Sequence, residues 1–113
     1  MLAIALAVII LILASIGIRS RAASAAETAH ASRSATVDIV NFAFKPGTLS
    51  IGAGSRIVFS NTSSRTHTAT RGGSFDTGRI KAGKSVAITF NRRGTFAYHC
   101  KIHPFMKGKI VVE

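Results

Sequence analysis

The chain has 113 residues, with 15 Lys and Arg against 4 Asp and Glu, a formal charge of +11. That length allows one domain, and 47% apolar residues argue against an all-disordered chain. One Cys excludes an intramolecular disulfide framework.

The first segment distorts this average. Residues 2–18 carry no charge and are mostly Leu, Ile, Val and Ala. Such a run is at the short end for spanning a bilayer and long for a signal-peptide core. Ala23-Ser24-Ala25 fits an A-x-A cleavage pattern, which would make Ala26 the mature N-terminus. Residues 1–25 therefore read as a signal peptide or as an uncleaved membrane anchor. Only Met1 precedes the apolar run, whereas Arg19 and Arg21 follow it. That polarity would hold the next domain in the cytoplasm, unless a basic leader lies upstream of Met1. Residues 26–35 are mostly Ala, Ser, Thr and Arg without an apolar period, the composition of a flexible linker. His30 lies there and reads as a solvated side chain.

From residue 36 the pattern changes to short β-rich runs between turn residues. Val37 and Ile39 share one parity, and Val40, Phe42 and Phe44 share the other. A switch inside one strand predicts a bulge or a bend. Lys45-Pro46-Gly47 ends that run. Leu49 and Ile51, Ile57 and Phe59, then Val86, Ile88 and Phe90 alternate in three further strands. Phe96, Tyr98 and Cys100 share a face of the next, and Ile110 and Val112 mark the last. No helix period is present. Residues 36–113 thus read as one all-β domain, a sandwich or small barrel. Its core is small, so a bound metal would add stability.

The chemistry collects in Cys100-Lys101-Ile102-His103-Pro104-Phe105-Met106. A thiolate, an imidazole and a thioether come from one loop at spacings of three. A second imidazole would complete a His₂Cys plane with a weak axial Met, the ligand set of a blue-copper site. His99 directly precedes Cys100, and on a strand it would point to the opposite face. His67 follows the strand at 57–60 after a polar turn, and is the better fourth ligand. Zinc also takes Cys and His, but the thioether favours copper. The bland readings are a buried structural Cys100 and a core-filling Met106, with His67 a bystander.

With these residues in view, the domain resembles the cupredoxins, the blue-copper fold of plastocyanin, pseudoazurin and amicyanin. The resemblance runs through "VDIVNFAFKPGTLSIGAGSRIVFSN", "HTAT" and "GSFDTGRIKAGKSVAITFNRRGTFAYHCKIHPFMKGKIVV", nearly all of 36–113. The Cys-x2-His-x2-Met loop, with Pro directly after the His, is most like amicyanin. The resemblance implies a Greek-key β-sandwich over 36–113, preceded by the N-terminal hydrophobic segment. It implies one copper ion in a type 1 site on His67, Cys100, His103 and Met106, with His103 nearest solvent and passing the electron. Thr68 and the backbone after Cys100 are expected to hydrogen-bond around the thiolate. Thr66 stands where the family often has Pro, and the tip is more basic than in plastocyanin.

From residue 36 on there are twelve basic and three acidic side chains. If Lys101, Lys107, Lys109, Arg65 and Arg71 ring the copper face, they would steer an acidic redox partner; otherwise they are a solvated surface. No element reads nucleic acid. The expectation is a monomeric one-electron carrier and not an enzyme, working with redox protein partners. It would be periplasmic, secreted, or tethered to the outer face of the cytoplasmic membrane through residues 2–18. A copper storage, delivery or resistance protein without a redox partner is the alternative.

Overall fold

The structure is a computed structural model that describes residues 33–113. The signal or anchor reading over 1–25, most of the linker and His30 lie outside the described residues. Nine strands follow in order: β1 (Ser34–Val40), β2 (Ala43–Lys45), β3 (Thr48–Ile51), β4 (Ser55–Asn61), β5 (Thr70–Arg71), β6 (Phe75–Asp76), β7 (Ser85–Phe90), β8 (Gly94–His99) and β9 (Lys107–Val112). They form two sheets, ordered β2-β1-β4-β7 and β3-β9-β8-β5-β6.

Period-2 alternation sets the inner face of each sheet. Val37 and Ile39 on β1 and Ile57 and Phe59 on β4 are fully buried. Tyr98 on β8 and Ile110 and Val112 on β9 answer from the other sheet. Aromatic rings close the contact between the sheets. Phe44 and Phe59 stand 4.7 and 5.8 Å from the Tyr98 ring, and Phe59 stands 6.2 Å from Phe75. The arrangement is an all-β sandwich of two sheets, as the alternation predicts.

The parity switch near residue 40 is neither a bulge nor a simple bend. Val40 pairs with Ala43 and Ile39 with Phe44, so Asn41 and Phe42 form a two-residue turn between antiparallel strands. Reversal restores the inward parity at Phe44 and leaves Phe42 free to point elsewhere. After Lys45 the chain leaves the first sheet, and β3 pairs with β9 in parallel in the second. β5 and β6 escaped the sequence reading because each has two residues, too few to show a period.

Candidate metal centre

The second sheet delivers the ligand loop. β8 ends at His99, and the chain returns on β9 from Lys107. Between them Cys100 N donates to Met106 O at 3.1 Å, and Met106 N donates to His103 O at 2.9 Å. These bonds close the loop at its base, which sets Cys100 beside Met106. His67 comes from the segment between β4 and β5. Its N–H and C=O both pair with Ile80, at 3.1 and 2.7 Å.

That segment is anchored by a residue missed in the sequence reading. Asn61 is 1% exposed. Its Nδ2 donates to Arg65 O at 2.7 Å and Ile80 O at 2.8 Å. Its Oδ1 accepts from Ser63 N and Ser63 Oγ, at 3.0 and 2.6 Å. The amide is fully used, and it ties the 61–65 turn to the residue that pairs with His67. Asn61→Ala removes all four of these bonds and leaves Ser63 N–H without its acceptor, while Ile80 O keeps the His67 N–H and Arg65 O keeps Ser63 Oγ. It is expected to cost about 2 kcal/mol, read as a lowered midpoint in denaturant with little change in slope.

Three donors converge. Cys100 Sγ lies 3.9 Å from His67 Nδ1 and 3.8 Å from His103 Nδ1, and the two imidazole nitrogens are 3.1 Å apart. A triangle of this size admits a first-row metal at about 2.0–2.1 Å from nitrogen and about 2.3 Å from sulfur. His67 and Cys100 are fully buried and Met106 is 1% exposed, whereas His103 is partly exposed. His99, on β8, stands outside the cluster. A planar His₂Cys group with a buried Met beside the Cys is arranged as a type 1 copper site.

Surrounding groups aim these donors. His67 Nε2 lies 3.3 Å from Asn41 Oδ1, and Asn41 Nδ2 donates to Ser64 Oγ at 3.0 Å. Protonation at Nε2 leaves the Nδ1 lone pair for a metal. Burial, then the neighbouring His103 and Arg65, holds His67 below the ordinary imidazole pKa, which favours that neutral form. Thr68 N donates to Cys100 Sγ at 3.3 Å, and Lys101 N donates to Thr68 Oγ1 at 2.9 Å. Thr68 and the backbone after Cys100 are both engaged here, as expected, although the Lys101 N–H reaches Thr68 Oγ1 and not the sulfur.

Phe42 was not expected at the site. The turn after β1 sets its ring edge-on to His67 and His103, at 6.2 and 5.1 Å, and 5.8 Å from Phe105. Phe42, Ile102 and Phe105 are the exposed large apolar side chains among the described residues. Two of the basic residues are engaged by other groups. Lys101 is paired with Asp76, and Arg71 donates to Ala97 O at 2.9 Å. Arg65 does stand at the rim, its guanidinium 5.8 Å from the Phe42 ring centroid.

Comparison with known proteins agrees with this geometry. Residues 3–112 match the cupredoxin-like domain family. This chain is a cupredoxin. Amicyanin-alpha of Methylorubrum extorquens is 32% identical to it over 90 residues, covering 71% of this chain and 72% of that protein. Amicyanin of Paracoccus denitrificans is 50% identical over a shorter stretch of 34 residues, covering 30% of this chain and 26% of its own. Among solved structures, a Cu(I) form of an amicyanin variant superposes with a TM-score of 0.68 at 28% identity, covering 71% of this cupredoxin and 82% of that chain. A Cu-containing nitrite reductase from Thermus scotoductus superposes with a TM-score of 0.63 at 33% identity. That match covers 69% of this cupredoxin but 22% of the reductase chain.

Proposed function

We propose that this cupredoxin is a blue-copper one-electron carrier working outside the cytoplasm, with His67, Cys100, His103 and Met106 as its ligands. Bound copper supplies the redox chemistry by alternating between Cu(II) and Cu(I). The protein holds the donors still, so little has to move when the electron passes.

One observation carries the reading. Three of the four donors are sealed from solvent, and the fourth, His103, reaches the surface beneath Phe42 and Phe105. With copper bound, the His103 ring would be the ligand through which an electron could reach a partner, while Cys100 lies buried behind it. The apolar rim suits a weak, transient protein complex. Catalysis on a bound substrate would need an open metal position or a second metal, and an ion held by all four of these side chains would offer neither. The location rests on the apolar run at 2–18 and the A-x-A pattern. Storage or delivery of copper uses the same ligands and is the reading to beat.

The test is stopped-flow reduction and reoxidation of the copper-loaded full chain in mild detergent. Rapid exchange in both directions with copper retained supports a carrier. Copper release on reduction supports a store. A colourless protein that binds zinc tightly ends the blue-copper reading. Mass spectrometry of the N-terminus from fractionated cells tests the location and whether residues 1–25 remain.

The partner is read as an acidic redox protein that meets Arg65 at the rim. Arg65→Glu is expected to slow electron exchange with an acidic partner by about tenfold at low ionic strength. The difference should vanish in high salt. An effect independent of salt would count against steering by this charge.

A further inference from the structure

A line of polar side chains runs from the surface to the ligand loop, and none of its members is a copper donor. At the outer end is Asp76 on β6. Its Oδ2 accepts from Lys101 Nζ, and its Oδ1 accepts from Gly78 N at 2.8 Å and Thr70 Oγ1 at 3.0 Å. Thr70 Oγ1 is 3.0 Å from Thr68 Oγ1. Thr68 Oγ1 in turn accepts the Lys101 N–H at 2.9 Å. Both threonines are buried, at 2–3% exposure.

Proton counting gives this line a direction. Each hydroxyl has one proton to give, and an ionised carboxylate has none. Thr70 spends its proton on Asp76, so Thr68 must donate to Thr70. The Thr68 lone pairs are then left for Lys101 N–H. The order is peptide N–H to hydroxyl, hydroxyl to hydroxyl, hydroxyl to carboxylate. It ends on the residue after Cys100, and the Thr68 N–H itself donates to Cys100 Sγ. Thr68 therefore grips both the sulfur and the next peptide.

The geometry points to Asp76 as a positioning residue for the Cys100 sulfur, acting through Thr70 and Thr68. The consequence for the metal rests on the blue-copper reading. A donor to sulfur stabilises the thiolate most when copper is reduced, so loosening it lowers the reduction potential. A plain surface pair between Lys101 and Asp76, both solvent-accessible, would contribute little and would move neither sulfur nor potential.

The experiment uses the full chain with Asp76→Ala, Asp76→Asn, Thr70→Val and the Asp76→Ala/Thr70→Val double variant. In metal-free protein, amide hydrogen exchange at Thr68 and Lys101 is followed by NMR. In copper-loaded protein the reduction potential is measured. Asp76→Ala should speed exchange at both amides by about threefold to tenfold and lower the potential. Thr70→Val, nearly isosteric, should do the same, and the double variant should add little, because one chain is cut twice. Asp76→Asn keeps an acceptor at the end of the chain and should stay near the parent in exchange. Unchanged exchange at Thr68 and Lys101, or fully additive effects, would overturn the assignment. If Asp76→Ala fails to fold, Thr70→Val decides by the same two readouts. A parent protein without a blue band would sink the functional reading, while the metal-free exchange data would still judge Asp76.

Discussion

Cys100→Ser removes the intense visible band of the copper-loaded protein and weakens copper binding by at least about 100-fold. Loss of an outer hydrogen-bond partner already costs about 10–100-fold in metal affinity, and here a donor itself is lost. Cys100 is fully buried, its sulfur within 3.9 Å of both imidazole nitrogens. Thr68 N–H already donates to that position at 3.3 Å, so a serine oxygen would find a partner there. The apo fold is therefore expected to survive, and circular dichroism should superpose on the parent. A neutral hydroxyl cannot supply the soft anionic sulfur on which the colour depends. Visible absorption and a competitive chelator titration check both halves. A variant that kept the band would remove Cys100 from the copper.

Gly108→Ala is expected to destabilise the fold by about 3 kcal/mol, the upper end for overpacking. A Cβ at Gly108 would meet Tyr98 Cζ at 2.3 Å, Oη at 2.4 Å and Cε1 at 2.8 Å. The Tyr98 ring cannot step aside. It is 3% exposed and packs against Phe44, Phe59 and Phe75. Gly108 lies opposite Tyr98 in the β8–β9 pairing, so strain there reaches Cys100, two residues on. Thermal unfolding should show a fall in Tm of about 10 °C or more. The companion variant has the opposite sign. The Tyr98 hydroxyl is buried without a hydrogen-bond partner among the described residues, and burial pushes its pKa well above the ordinary phenol value. Tyr98→Phe should therefore stabilise the fold by about 1 kcal/mol. It should not rescue Gly108→Ala, because the nearest clash is with a ring carbon that Phe retains. Full rescue by Tyr98→Phe would place the conflict at the hydroxyl alone.

Much of the metal centre was legible because it is local. Cys100, His103 and Met106 fall within seven residues, and donor chemistry with spacing is all that has to be read. His67 followed by elimination, since strand parity turns His99 away. The core positions were legible for a similar reason: alternation tells which face a residue takes. Alternation does not tell which strand lies opposite. Thus the apolar parity of Phe42 pointed to a bulge or a bend, whereas reversal at Asn41 carries it to the rings of His67 and His103. Nor does a polar turn reveal that Asn61 spans from Arg65 to Ile80.

The N-terminal segment inflates the apolar content of the whole chain, and the basic residues of the folded domain come without an element that reads nucleic acid. The amino-acid sequence alone determined the all-β class, the donor types and the order in which they enter, because each depends on neighbours a few residues apart. Only the tertiary structure decided what stands around them. Asn41 on His67, Phe42 over His103, Arg65 at the rim and Asp76 behind Thr68 come from turns and short strands with no period of their own. Their places are set by sheet pairing across many residues, and a contact made through space leaves no regular spacing along the chain.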